Sequence, residues 1–314
     1  MIKNILRKKL IVSTIILLLV LSLYLVPNNK SLNIEEKVEY VNYEMKKTEI
    51  YLLDKNNYLS RVMIPVNSTK NIDIATEAIE LLKCNGKYKD KIPNNFKCVL
   101  NSKTKILDTE LKDNTLKIDF NEFLLDTDNE IKVIESIVYT LTYINNIDNI
   151  IIYINGELLT KLPKSNITIP TTLNRNIGIN KKYELVSNKN IKKTNIYYIN
   201  TYDDYTYYVP VTLINNDERD KIEIIIDELS NKILNNDLNS YLNSDTKLIN
   251  SNIENDTMYV NFNENILNDF NDNNILEEVI YTISLSINDN YNVNNVFFSV
   301  NNKEIVKTTI KSLE

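Results

Sequence analysis

The chain repeats itself, and the repeat limits its fold more than any other feature does. Thr104-Lys-Ile-Leu107, followed by Thr115-Leu-Lys-Ile-Asp-Phe-Asn-Glu122, returns as Thr246-Lys-Leu-Ile249 and Thr257-Met-Tyr-Val-Asn-Phe-Asn-Glu264, an offset of 142 residues. The same offset lays Tyr139-Thr140-Leu141 on Tyr281-Thr282-Ile283. Thr48-Glu-Ile-Tyr51 echoes Thr194-Asn-Ile-Tyr197, and residues 149–155 (NIIIYIN) echo 295–301 (NVFFSVN). A chain of 314 residues has room for two copies of one domain.

Periodicity gives each copy its elements. Ile50-Tyr51-Leu52-Leu53, residues 61–66, 105–111 and 150–154 and the Leu116/Ile118/Phe120 set alternate or run apolar, as strands do. Ile222, Ile225, Ile226, Leu229 and Ile233 recur at helical spacing, as do Leu276, Val279, Ile280, Ile283 and Ile287. Their counterparts in the first copy are Ala75, Ala78, Ile79 and Leu82, then Ile134, Ile137, Val138 and Leu141. Each copy therefore reads β-β-α-β-β-α-β. A helix with one apolar stripe must bury it, so the expected fold is α+β, with two helices on one face of a small mixed sheet.

Before the first copy, residues 10–26 form an apolar run of seventeen without a charge, preceded by Lys3, Arg7, Lys8 and Lys9. A helix of that length spans about 26 Å, enough for a slightly thinned hydrocarbon core. The basic flank orients it with the N-terminus in the cytoplasm and the rest outside the cell membrane. A cleaved signal is the competing reading, but its site wants small residues, and no Ala precedes Ala75. No Cys follows the run, so lipoprotein processing has no substrate. The expected organisation is a membrane anchor or signal at 1–27, a spacer at 28–47, domains at 48–157 and 194–306, a linker at 158–193 and a tail at 307–314. Pro163, Pro170 and Gly178 punctuate the linker.

Composition removes whole classes of chemistry. Without His the chain cannot build the usual nucleophile triads, a helical two-His zinc site or a His pH switch. Three glycines cannot supply a phosphate-cradling loop, and a net charge of -6 argues against a nucleic-acid partner. Asp119 and Glu122 invite an acid–base reading, as in a wall hydrolase. The second copy offers Asn261 and Glu264 there, and Asp and Asn share the ability to cap a helix or hold a turn. That structural role is preferred, and no catalytic, cofactor or metal residue is assigned. Cys84 and Cys98 lie fourteen apart with no second-copy counterpart. They are either a disulfide tying the first helix to the following loop or two buried thiols. Of 20 tyrosines, Tyr202, Tyr205, Tyr207 and Tyr208 cluster before Pro210. They are expected as strand residues, with an exposed edge there as a candidate partner contact.

The residues also carry a family resemblance. The helix at 75–82 (ATEAIELL), Ile92-Pro93, Thr104-Lys-Ile-Leu107, Ile118-Asp-Phe120, Tyr139-Thr-Leu-Thr142 and the closing strand at 150–156 resemble the GerMN domain of sporulation and spore germination. Asn174-Arg-Asn-Ile-Gly-Ile-Asn180 resembles that family's inter-domain connection, and the likeness runs over about residues 48 to 306. It implies a fold similar to the ring-building motif of secretion-system rings. It also implies a non-enzymatic role between mother cell and forespore, in the intermembrane space, assembling or stabilising the complex that joins them. The implied partners are other sporulation envelope or channel proteins, with self-association. Members are commonly lipoproteins, whereas this chain would be held by its helix. The second copy also lacks the Ile-Pro, having residues 238–243 in that region. The alternative function is an extracytoplasmic module binding cell-wall glycan or a small ligand.

Overall fold

The computed structural model describes residues 11–19, 21, 46–203, 205–231, 238–268 and 274–309. The chain divides into two units, 1–44 and 45–314. In the first, residues 11–19 and 21 are helical (α1) and exposed. Among the described residues no helix is long and apolar enough to cross a membrane. The remainder of the seventeen-residue run lies outside the described residues.

In the second unit the first copy comprises β1 (Lys47–Leu53), β2 (Leu59–Pro65), α2 (Asn71–Leu81), β3 (Ile106–Lys112), β4 (Thr115–Phe120), α3 (Glu130–Leu141), β5 (Asn149–Ile154) and β6 (Glu157–Leu158). After β7 (Lys182–Glu184), the second copy comprises β8 (Lys192–Tyr202), β9 (Tyr205–Asn215), α4 (Lys221–Ser230), β10 (Leu248–Glu254), β11 (Thr257–Phe262), α5 (Glu277–Tyr291), β12 (Asn295–Val300) and β13 (Lys303–Thr309). Each copy thus ends in one strand more than its periodicity announced. The turns that make it, Asn155-Gly156 and Asn301-Asn302, hold both residues at positive φ. Two such residues make the turn whose twist matches paired antiparallel strands.

The expectation of one sheet per copy is corrected. The strands form β3-β4-β5-β6 in one copy and β10-β11-β12-β13 in the other, each with a parallel central pair flanked by antiparallel ones. The hairpins β1–β2 and β8–β9 leave these sheets and join β7 in a third, five-stranded sheet shared by both copies. The cause lies in burial: residues 48–52 of β1 and 194–200 of β8 are buried without alternation. A strand buried on both faces needs cover on both, and here the other copy helps supply it. The helices close the strand flanks. Ser136 and Thr140 of α3 bond the Tyr51 carbonyl and amide at 2.7 and 3.1 Å, and Ser286 of α5 accepts from the Tyr197 amide at 2.9 Å.

These contacts also correct the helix alignment. Thr140 and Ser286 do the same work 146 residues apart, so Tyr139 corresponds to Leu285 and not to Tyr281. Tyr139 is fully buried, whereas Tyr281 is half-buried beside Tyr208. A four-residue slip is close to one helical turn and keeps the apolar stripe nearly in place, so the pattern reads alike in either register.

The repeated Thr-Lys-Ile-Leu and Asn-Phe-Asn-Glu segments are a matched pair of clamps. Asn121 accepts from the Lys105 amide and donates to the Lys103 carbonyl, and Asn263 does the same to Lys247 and Asp245, all at 2.9 to 3.0 Å. Thr104 and Thr246 add hydroxyl bonds to Phe123 and Asn265 carbonyls. Asn121→Ala strands an amide and a carbonyl in a mostly buried site, so urea unfolding should show a loss of about 1 to 3 kcal/mol. Asn263→Ala should cost less, because its bonds are more exposed. Equal losses would sink this account.

Candidate functional site: the junction between the copies

The linker is the keystone of the shared sheet. Asn174 opens a short helical turn by accepting from the Asn176 amide, and Gly178 follows at φ +77. A Cβ at Gly178 would stand 3.1 Å from the Thr212 side chain, so a larger residue is refused by both conformation and space. Asn180 then accepts from the Leu59 amide of β2 at 3.0 Å and donates to the Leu59 and Pro210 carbonyls, both at 2.8 Å. One buried amide therefore staples a strand from each copy.

Arg175 enters a buried cluster of charge. Its guanidinium pairs with Asp289 of α5 and, at 3.1 Å, with Glu49 of β1. It also reaches the Tyr139 carbonyl at 3.2 Å and lies over the Tyr139 ring, 5.0 Å from its centroid. Arg61 pairs with the second oxygen of Glu49. The hydroxyls of Tyr51 and Tyr197, equivalent residues of the two copies, meet at 3.1 Å, and Tyr197 donates to Asp289 at 3.0 Å. The side chains of Glu49 and Asp289 are each only 4 % exposed, Arg61 is 5 % and Arg175 23 % exposed, so two carboxylates and two guanidiniums form a largely buried neutral set.

The two carboxylates respond differently to burial. Burial raises the Glu49 pKa, but Arg61 and then Arg175 outweigh it and hold the group below the usual carboxylate range. For Asp289 burial, helped by the charge of Glu49, outweighs Arg175 and the Tyr197 hydroxyl bond, and its pKa is raised. Burial likewise raises Tyr139, Tyr51 and Tyr197. These hydroxyls stay protonated and serve as hydrogen-bond donors, not as bases.

Asp54 makes a second tie. Fully buried, it accepts from the Asn56 and Tyr58 amides of its own turn, and from Asn200 at 3.1 Å and the Tyr207 hydroxyl at 3.2 Å in the other copy. Tyr207 is accordingly buried and not on an open edge. It lies on β9, which pairs with β8 on one side and with β2 and β7 on the other. Tyr208 is half-buried there, and only Tyr202 and Tyr205, facing each other at the hairpin tip, are exposed, at 40 % and 44 %. Phe96 packs edge-on against Tyr207 and Tyr205, with centroids 5.0 and 6.1 Å apart. Cys84 and Cys98 are joined as a disulfide with Cα atoms 5.0 Å apart, closing the loop that carries Phe96.

Asp119 accepts from the Gly156 amide at 3.1 Å, and Asn261 accepts from the Asn302 amide at 3.0 Å. Both hold the hairpin turn beside them. Glu122 is exposed and, among the described residues, accepts from Asn155 at 3.4 Å. Among the described residues no group of three His, Cys, Asp or Glu is placed to hold a metal ion. No local period marks the junction residues; their sequence signals are Glu49 inside an apolar strand and Arg175 inside the inter-domain connection.

The comparisons with known proteins agree with this architecture. The family model Germane, described as sporulation and spore germination, matches residues 49–160 and 195–306. The spore germination protein GerM of Bacillus subtilis is 32% identical over 267 residues, covering 81% of this chain and 71% of that protein. The solved tandem GerMN domains of the sporulation protein GerM from Bacillus subtilis superpose with a TM-score of 0.74 at 29% identity, covering 82% of this chain and 92% of that one. The match of both copies to the family model and the identity to GerM over most of the chain place the chain in the Germane family of sporulation and spore germination proteins, as a tandem GerMN protein.

Proposed function

We propose that this chain is a non-enzymatic assembly component of the sporulation envelope, held by its N-terminal apolar segment with both domains outside the membrane, between mother cell and forespore. The observation that carries this reading is the junction. Arg175 of the linker ties Glu49 of one copy to Asp289 of the other, and Asp54 and Asn180 bond across as well, so the tandem presents its outer surfaces at a fixed spacing. Fixed spacing suits a scaffold that must meet several partners at once, or further copies of itself. Asp119 and Glu122 each bond the closing turn, from the Gly156 amide and the Asn155 side chain, which suits a structural role for this pair. The apolar run at 10–26 with its basic flank supports the anchoring.

Deleting the gene in its native host should lower spore yield, and a fluorescent fusion should collect at the boundary between mother cell and forespore during engulfment. Normal sporulation with uniform envelope labelling would remove the assembly role and favour a general wall-binding module.

A further inference from the structure

Beyond α1, the most exposed large apolar side chain among the described residues is Val186 of the linker, at 91 %, and Tyr183 follows at 63 %. Leu185 and Ile191 are exposed beside them. Glu184 of β7 and Lys192 of β8 both pair with Asn215 of β9, one on each side, so Leu185 and Ile191 leave the same end of the shared sheet and residues 186–190 form the tip between them. One side chain holds that tip in shape. Asn216 accepts from the Val186 and Ser187 amides at 2.8 and 3.0 Å and donates to the Ser187 and Lys189 carbonyls at 3.1 and 2.6 Å. The backbone is therefore fixed in a form that turns apolar groups to water, and a contiguous apolar patch of this kind marks a docking surface.

The tip stands on the basic segment of an acidic protein. Residues 158–193 hold eight Lys and Arg against Glu184 alone, whereas 48–157 hold 13 against 17 acids and 194–306 hold 5 against 19. The acids near the tip are mostly engaged: Glu184 pairs with Lys182, Asp217 with Arg219, and Glu218 accepts from Asn190 at 2.9 Å. Lys189 and Lys192 form no ion pair among the described residues, and Lys192 donates to the Glu218 carbonyl. An anionic surface therefore attracts this end of the tandem and repels the rest, the second domain above all. Tyr and Lys suit the headgroup level of a bilayer, and aliphatic side chains suit the acyl boundary beneath it. A bilayer also receives a projecting tip without a matching pocket, and it supplies the anions that the lysines attract.

We propose that the tip at 183–191 docks on an anionic lipid bilayer, with Leu185 and Val186 entering the acyl boundary and Tyr183, Lys189 and Lys192 at the headgroups. This rests on the anchored reading above, in which the apolar run keeps the chain beside a bilayer. The second contact is then intramolecular, so a small apolar tip with a few cations suffices. Docking of this kind turns the acidic second domain away from the lipid and fixes which end of the tandem faces it.

The test uses the full chain reconstituted with phosphatidylglycerol vesicles and with phosphatidylcholine vesicles. Cys84 and Cys98 are joined, so Asn188→Cys supplies one reactive thiol for an environment-sensitive fluorophore, and Ile253→Cys on exposed β10 gives the control. In phosphatidylglycerol the probe at 188 should shift to the blue and be quenched by brominated acyl chains, while the probe at 253 is unaffected. Lys189→Glu with Lys192→Glu should lower the ratio of inserted to free tip about tenfold. Val186→Ser, a change at an exposed position that leaves the core intact, should lower it as well. Quenching that is equal in both lipids, matched at 253 or insensitive to these variants overturns the proposal. A tip that stays in water with both lipids overturns it in favour of a protein partner. An alkaline carbonate wash of the same vesicles reads the anchor separately. A chain that resists the wash with an unquenched tip keeps the anchoring and loses the docking, whereas a chain that washes out removes the anchoring, and the quenching read before the wash decides the tip in either case.

Discussion

Arg175→Met lowers the stability of the tandem by about 3 to 5 kcal/mol, the cost of removing one partner from a buried ion-paired set. The substitution keeps an apolar stem of similar length but leaves Asp289 facing no cation and Glu49 facing only Arg61. Urea unfolding at neutral pH measures the loss. The pH dependence then identifies its source. Asp289 already has a raised pKa with Arg175 present, and removing the guanidinium raises it further. A folded-state pKa above the unfolded one makes the ionised acid a destabilising load, carried in full above the folded pKa and relieved as pH falls through it. The gap between variant and native protein should therefore narrow as pH is lowered from neutrality towards the carboxylate range. A loss below about 1 kcal/mol, typical of a surface pair, or a gap independent of pH would show that the cluster is not the lock described here.

Removing the disulfide is the second large effect. Cys84→Ser with Cys98→Ser opens a loop of 15 residues, for which chain entropy predicts a loss of about 3 kcal/mol. The loop also positions Phe96 against Tyr205 and Tyr207 of the other copy. Slackening it should therefore be felt beyond the first domain. Hydrogen exchange should rise at the amides of Leu53 and Lys97, which bond each other's carbonyls at 3.1 and 2.7 Å, and along the β8–β9 hairpin, while β11 and β12 change little. Unaltered exchange at the hairpin would confine the disulfide to a local role.

Much of this was legible from residue pattern. The apolar stripes of α2 to α5 and the order of the strands follow from spacing, because burying one face of a helix or strand imposes a period that the chain must display. The duplicated Thr-Lys-Ile-Leu and Asn-Phe-Asn-Glu segments declared two copies of one unit because the same Asn and Thr clamps are built twice. The closing strands β6 and β13 are marked only by their Asn-Gly and Asn-Asn turns, because apolar periodicity does not extend into them. The helix register is ambiguous in the sequence because the alternatives differ by about one helical turn. For Cys84 and Cys98 the sequence left two states open, since spacing alone does not give the distance between two Cα atoms.

What the sequence by itself determined is the repeating unit: its local elements, its apolar faces and the classes of catalysis that a chain without histidine cannot perform. What only the tertiary structure decided is how the units meet. Glu49, Asp54, Arg175, Asn180 and Asp289 are scattered along the chain, and their value lies in through-space pairing that no local period records. Burial sets the cost of each charge, and burial of these groups exists only once two hairpins from different copies share one sheet.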